Sequence, residues 1–368
     1  MRSFGIDEKP KVLLIDPLDV NYGSTYRGRI FLRALSAIGC ECSYVEANYK
    51  GGTLPGNVFN VPQKNNIFSY FFASLRRMWL CFILDYDFCI IQKCLPVNLF
   101  PIFASLVRGK KTIVDWDDLE APLQVSNFRK HLILLCEKIM ARLPVTITTH
   151  SDFINEYIKN LGGKNSFYLP QAVDDEFLNT PIDGAKVRRQ YNLDGKLVVG
   201  YVVTFNIGST YDLENILRTY KEIEGLCLNA VLLVVGGGPL QRQVEAKIAG
   251  FGLRNVIVTG LVAHEKVPEF IAACDTCLIY MSDNDLTNQG RVSLKLVEYC
   301  AVGKPIIGKV VGETMRLLGE YVFAWDKNNF SPQGKGVCVS ARGKVMACHS
   351  VKALSARLKE LLSIEAAS

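Results

Sequence analysis

Short apolar, β-rich runs alternate with helical segments from Lys11 almost to the end of the 368-residue chain, and no other feature constrains the fold as strongly. In the first half the strand candidates are Lys11–Asp16, Cys42–Ala47, Asp87–Gln92, Lys111–Trp116, Val145–His150 and Asn165–Pro170. Helical patterns lie between them, and Gly39, Gly109 and Gly162 are placed to end three of these helices. A polar stretch, Asp174–Gly195, contains Pro181 and Gly184 and interrupts the rhythm as a linker with a short helix. The alternation then restarts with Lys196–Phe205, Ala230–Gly238, Asn255–Val262, Thr276–Met281 and Lys304–Val311. Strands that alternate with helices form parallel sheets with right-handed crossovers. The expectation is therefore an α/β chain of two doubly wound Rossmann-like domains facing across a cleft, with ligands at the C-terminal edges of the sheets. The predicted boundaries are 1–175 for the first domain, 176–195 for the linker and 196–345 for the second domain. A terminal helix over 346–368 is expected to pack back toward the first domain.

Composition narrows the function classes. With 49% hydrophobic and 21% charged residues the chain is an ordinary globular protein, not a disordered one. The formal charge of +6 suits an anionic substrate or an anionic membrane surface; no nucleic-acid-binding motif accompanies it, so no nucleic-acid partner is expected. Twelve cysteines fall mostly inside apolar runs, where cysteine acts as a small core residue. Cys274 and Cys277 form a lone CxxC with no second pair, and the usage fits a reducing compartment. The polar N-terminus does not read as a signal peptide, and a cytoplasmic location is expected. The most apolar stretch, Ile67–Leu84, is barely long enough to span a bilayer, and Arg76 and Arg77 interrupt it. It reads as a largely buried or interfacial helix. Phe68, Tyr70, Phe71, Phe72, Leu75, Trp79 and Phe82, with both arginines, could form a patch for the inner face of the plasma membrane.

Two constellations carry chemistry in the second half. Gly236–Gly238 and Pro239 follow a very apolar strand and lead into a helix. Glycines there let a ligand approach the backbone at a helix N-terminus, although such a turn can equally serve tight packing. The spacing fits neither a Walker A loop nor G-x-G-x-x-G. More specific is Asn288–Glu298, where a helix starts just after a polar loop. Its first amides, near Val292, Ser293 and Leu294, can face a phosphate, and Arg291 and Lys295 can add charge. Glu298 shares a face with Lys295 and can accept two ribose hydroxyls. The alternative is an ordinary i,i+3 salt bridge. In the first half, Asp115, Asp117 and Asp118 cluster after a strand. They could form a turn or helix cap, or hold a divalent metal, or act on a ligand. His150 ends another strand and reads equally well as structural or functional. His131, His264 and His349 lack paired metal-ligand spacing, and no metal site is predicted.

The segment VSLKLVEYCAVGKPIIG resembles the signature of the family-4 retaining glycosyltransferases of the GT-B fold. LLVVGGGP is similar to that family's glycine turn, VTGLV to its base-framing loop, and THSDFINEYIKNLG with FYLPQAVDDEFL to its mid-chain passage. The likeness is strongest from Val198 to Gly312. It implies that residues 1–175 form the acceptor side and residues 196–345 the nucleotide-sugar side. It further implies that Glu298 holds the ribose, that Leu261 and Val262 flank the base, and that Gly237, Gly238 and the amides of Val292–Leu294 face the diphosphate or sugar. Asp117, with Asp118 beside it, stands where the family often has a histidine. The loop Gly23-Ser24-Thr25 would border the acceptor or the phosphates. Three positions depart from the family pattern. Gly290 replaces a glutamate, so donor-sugar contacts would fall to Asn288, Gln289 or the Gly290 backbone. The stretch FNIGSTYDLEN lacks the usual basic pair, for which Arg291 and Lys295 would substitute. Gln171-Ala172 replaces Asn-Gly.

The implied activity is retaining, metal-independent transfer of a sugar from a nucleotide-diphosphate donor. A UDP- or GDP-sugar is expected more than an ADP-sugar, with no separate cofactor. The acceptor would be a glycan or a lipid-linked glycan in surface polysaccharide or glycolipid assembly. Alternatives are a non-catalytic sugar-nucleotide-binding subunit of a glycosyltransferase complex and a GT-B-fold sugar-nucleotide epimerase.

Overall fold

The computed structural model describes residues 9–18, 25–49, 51, 54–124, 126–178, 182–205, 212–328 and 335–367. The chain divides into two compact units, Met1–Ala172 with Val351–Ser368, and Val173–Ser350.

Unit 1 runs β1 (Lys11–Asp16), α1 (Thr25–Ala37), β2 (Glu41–Ala47), β3 (Asn57–Val61), α2 (Ile67–Ile83), β4 (Phe88–Gln92), α3 (Leu99–Val107), β5 (Lys111–Asp115), α4 (Asn127–Met140), β6 (Thr146–Thr149), α5 (Asp152–Asn160) and β7 (Phe167–Tyr168). Its sheet has the order β3-β2-β1-β4-β5-β6-β7, and every pairing is parallel. A parallel sheet is covered on both faces, so its strands are apolar on both. Leu13, Ile15, Val45, Ile91 and Val114 pack on one side with residues of α2–α5. Val12, Leu14, Tyr44, Ile90 and Ile113 pack on the other with α1 and the C-terminal helix Val351–Ala367. Side chains fix the helix starts: Asn66 accepts from Ser69 N at 2.8 Å, and Ser151 Oγ accepts from Ile154 N at 3.1 Å. Strand order reverses between β1 and β4, which makes their C-terminal ends the switch point.

Helix α2 is not largely buried. Phe68, Phe72 and Trp79 are 74%, 65% and 57% exposed, so one side faces outward. Arg76 is exposed, but Arg77 points inward and is fully buried, which removes it from the expected surface patch. Its guanidinium donates to Pro17 O at 3.2 Å. Burial lowers its pKa to about 10. No helix among the described residues is long and apolar enough to cross a membrane.

Unit 2 runs α6 (Ala185–Gln190), β8 (Leu197–Val202), α7 (Leu213–Leu226), β9 (Ala230–Val235), α8 (Gln241–Gly250), β10 (Val256–Val258), α9 (Val267–Ala273), β11 (Thr276–Tyr280), α10 (Leu286–Gly290), α11 (Leu294–Val302), β12 (Ile306–Lys309), α12 (Gly312–Leu318), β13 (Val322–Phe323) and α13 (Lys335–Cys348). The C-terminal helix is α14 (Val351–Ala367). The sheet order is β10-β9-β8-β11-β12-β13, again all parallel, and its switch point lies between β8 and β11. Val199, Tyr201, Leu232 and Val234 pack against α7 and α8. Val198, Leu233, Cys277 and Ile279 pack against α9, α11 and α13. Phe177, Val187 and Leu193 belong to this second core, so the described residues 176–178 and 182–195 pack within unit 2. The twelve cysteines are free; nine are buried, two are half-buried and only Cys348 is exposed.

Candidate nucleotide and sugar site

The switch point of unit 2 is followed by α10 and α11, which carry the charged residues read from the sequence. Ser293 caps α11 and Leu294 begins it. Glu298, one turn in, is 4% exposed. No side chain or backbone amide among the described residues donates to its carboxylate. Burial raises its pKa to about 8; Lys295 opposes the rise and Asp174 adds to it. Keeping such a group ionised costs on the order of 5 kcal/mol. No hydrogen-bond donor among the described residues offsets that, so a hydrogen-bonding ligand is the group's natural complement.

Lys295 is matched to Glu298. Its ammonium stands 5.0 Å from the centre of the Tyr201 ring, and no carboxylate among the described residues lies within ion-pair distance. Burial lowers its pKa to about 8, with Asp212 and Glu298 opposing and Arg291 assisting. A buried cation resting on an aromatic face retains its capacity to bind an anion. The expected phosphate-facing amides are not all available. Ser293 N donates to Thr314 Oγ1 at 3.0 Å, and that hydroxyl donates to Arg291 O at 2.6 Å. Thr314 therefore fixes the start of α11. Asn288 is buried and donates to Ser282 O at 3.1 Å. Gln289 Nε2 donates to Asp283 O at 3.4 Å. Gly290 is buried at the end of α10.

The glycine turn after β9 is built for close backbone packing. At Gly236 a Cβ would come within 1.8 Å of Val203 O, and at Gly238 within 2.8 Å of Phe205 O. Both lie at positive φ, 142° and 151°. Phe205 N donates to Gly237 O at 2.9 Å, and Leu240 N to Phe205 O at 3.1 Å. The turn is thus fastened to the chain leaving β8, and α8 begins only at Gln241. Gly237 packs against Leu261 N, where a Cβ would sit at 2.8 Å. Leu261 is 75% exposed, and Val262 is half-buried. The turn and the base-framing loop therefore adjoin.

In unit 1 a charged cluster gathers at the C-terminal edge of the sheet. Lys93, immediately after β4, donates to Asp117 Oδ1 and Oδ2 at 3.0 and 3.3 Å and to Glu120 Oε1 at 2.8 Å. Asp118 lies at 3.8 Å. Asp115 accepts both guanidinium branches of Arg27 at 2.6 and 3.0 Å, and the Thr148 hydroxyl at 2.8 Å. Burial raises Asp117 to about 6 against the pull of Lys93, and raises Asp16 at the end of β1 to about 7. His150 is buried, and desolvation followed by Arg27 pushes it down to about 3, so the ring is neutral. Asp117 and Asp118 do not cap a helix; they lie in the turns after β5, and α4 begins only at Asn127. Thr25 opens α1 and is buried; Gly23 and Ser24 lie outside the described residues.

Residues 197–329 match the family model described as glycosyl transferases group 1. The structure is similar to sucrose-phosphate synthase from Thermosynechococcus elongatus, with a TM-score of 0.74 and 16% identity, covering 98% of this chain and 100% of that one. It is also similar to Anabaena HepE in complex with UDP and glucose, with a TM-score of 0.73 and 17% identity over 96% and 99% of the two chains. The fold is GT-B. The putative teichuronic acid biosynthesis glycosyltransferase TuaH of Bacillus subtilis (strain 168) is 25% identical over 235 residues, 61% of this chain and 57% of TuaH. Glutamyl-tRNA reductase 3 of Hordeum vulgare is 24% identical over 179 residues, 46% of this chain and 31% of the reductase. The chain thus spans less than two thirds of either curated relative.

On this GT-B chain, the residues named from the sequence fall into two groups, one in each unit. Glu298, Lys295, Arg291 and Val292–Leu294 lie together at the start of α11, and Asp117 and Asp118 lie together after β5. Lys93, Arg27 and Glu120 were not recognised as site residues. Their signals were present: Lys93 directly follows the strand FCIIQ, whose first four residues are apolar, and Arg27 stands on the apolar side of α1 beside Phe31.

Proposed function

We propose that the chain transfers a sugar, with retention of configuration, from a nucleoside-diphosphate donor to a glycan or lipid-linked acceptor. The buried carboxyl group of Glu298, to which no group among the described residues donates a hydrogen bond, carries this reading. Holding it ionised costs free energy that hydroxyl donors from a ligand would recover, and the two ribose hydroxyls of a nucleotide fit the need. Arg291, Lys295 and the amides of Val292 and Leu294 would stabilise the charge that develops on the departing diphosphate. Leu261 and Val262 would lie along the base, and Gly237 and Gly238 would let the ligand approach the backbone. Asn288, Gln289 and Gly290 would face the donor sugar. Asp117, with Asp118 beside it, and neutral His150 would orient the sugar or acceptor in unit 1, bordered by Thr25 at the start of α1. The ammonium of Lys93 already occupies the space among the carboxylates, which favours a metal-independent route. HepE is described in complex with UDP and glucose, which supports a UDP-sugar donor here, with a GDP-sugar next. A reductase reading is disfavoured because Gln241 stands where the third glycine of G-x-G-x-x-G would be.

The surface of unit 1 suggests where the acceptor resides. Helices α2 and α3 pack together through Phe71 and Phe100, whose rings are 5.9 Å apart. Between them they carry no acidic residue. Phe72, Trp79 and Phe103 are exposed on this pair, and on α4 Phe128 and Leu135 are exposed beside Arg129, Lys130 and Lys138. An apolar, basic, acid-free surface suits an anionic leaflet. This supports a cytoplasmic protein docked on the inner face of the plasma membrane in polysaccharide or glycolipid assembly, and TuaH is named for such a polymer.

Saturation-transfer NMR with UDP-, GDP- and ADP-sugars tests the donor reading. Binding of a uridine or guanosine sugar that Glu298→Gln removes is the expected result; no binding of any of them would overturn it. Gly290 in place of an acidic residue favours one rival, a non-catalytic sugar-nucleotide-binding subunit. That rival gains if gene deletion abolishes a surface glycan while Glu298→Ala and Asp117→Ala leave it unchanged.

A further inference from the structure

Lys93 combines features that packing alone does not require. It is not glycine, yet its backbone lies at φ 69°. The neighbouring chain over-determines that conformation. Asn98 Nδ2 donates to the carbonyls of Gln92 and Lys93 at 2.7 Å each, and Lys93 N donates to Asp115 O at 2.8 Å. Strain held in this way collects where a side chain must be aimed. Here it aims a buried ammonium at three carboxylates of the 117–120 turn, at the switch point of the sheet.

We propose that Lys93 is a positioning residue for sugar transfer, holding the Asp117 carboxylate charged and fixed toward the ligand of unit 1. This rests on the glycosyltransferase reading and deepens it, because it assigns the ion pair that keeps a buried carboxylate charged. Asp117 feels the charges of Asp118, Asp115 and Arg27; Asp16 at the end of β1 feels Asp117, Glu120 shares the Lys93 ammonium with it, and His150 after β6 is neutral. Among the described residues only Lys93 donates a hydrogen bond to it. Burial and the other carboxylates favour its protonated form, and Lys93 opposes them. Without the ammonium, Asp117 would be a neutral acid at pH 7. A neutral acid donates a hydrogen bond, and it would not stabilise positive charge developing on a sugar ring.

The test uses the full chain with Lys93→Gly, which accepts the backbone conformation and removes the ammonium. Two readouts are taken: sugar transfer against pH, and the Asp117 carboxyl titration followed by carbon-13 NMR of labelled aspartate, assigned with Asp117→Asn. The expected result is nucleotide affinity within about threefold of wild type and kcat lower by roughly a hundred-fold. Added propylamine should restore part of the activity, and Asp117 should bind its proton about tenfold more tightly. An unchanged kcat, an unchanged titration, or a parallel loss of nucleotide affinity would overturn the proposal. If Lys93→Gly does not fold, Lys93→Met is judged by the same readouts. If the wild-type protein transfers no sugar, the glycosyltransferase reading fails, and the titration still decides whether Lys93 sets the charge of Asp117.

Discussion

Glu298 and Lys295 form a pair whose ordinary charges are both opposed by burial, with pKa values brought toward each other at about 8. Two consequences can be measured. First, the folded pKa of Glu298 exceeds its unfolded value, so the folded state holds the extra proton between about pH 4.5 and 8. Stability from this group is full below that window and is lost as pH rises through it. Glu298→Gln should therefore raise the unfolding free energy at pH 8 by a few kcal/mol while weakening nucleotide binding roughly tenfold to a hundredfold. A purely structural glutamate would lose stability on the same change, and thermal unfolding beside calorimetric titration distinguishes the two. Second, ribose binding should draw a proton off Glu298, and diphosphate binding should return one to Lys295. Nucleotide affinity should then peak near pH 8. Lys295→Met should remove the alkaline fall and keep the acidic limb, which calorimetry in buffers of different ionisation heat would show.

At the scale of elements, the sequence revealed where strands and helices lie better than where they stop. Apolar residues continue past the true strand ends at Val203, Phe205 and Trp116, because these residues are buried in loops at the sheet edge. β3 escaped detection because NVFNV follows a stretch rich in glycine and proline and is an edge strand with little apolar pattern. The packing role of Gly236 and Gly238 was legible only as an alternative, since it depends on contacts with Val203 and Phe205 from another strand. Gly238→Ala should accordingly cost about 2 kcal/mol or more in denaturant unfolding, whether or not nucleotide is present. The two arginines of α2 looked equivalent in sequence. A helix turns 100° per residue, so Arg77 faces the core while Arg76 faces outward. Paired substitutions Phe72→Glu and Trp79→Glu should reduce co-sedimentation with anionic vesicles by roughly tenfold and leave the melting temperature within a few degrees. Co-sedimentation unaffected by these changes and by salt would remove the membrane reading.

Across the whole molecule, each unit repeats one physical scheme: a parallel sheet apolar on both faces, a reversal of strand order, and costly buried charges at that reversal. The alternation of strand and helix made the scheme legible, and a short signature around Lys295 and Glu298 located one charged site. The other site was only half legible, because Lys93 is brought to Asp117 by the register of β4 against β5, which pairs Gln92 with Asp115. The central claim is that these charges serve transfer of a sugar from a nucleotide donor. A mass-spectrometric product assay over UDP-, GDP- and ADP-sugars, with anionic vesicles carrying lipid-linked glycan acceptors, tests it most directly. One added sugar from a uridine or guanosine donor is expected, abolished by Glu298→Ala and reduced by Asp117→Asn. Donor binding that depends on Glu298, with no sugar transferred to any acceptor, would contradict it.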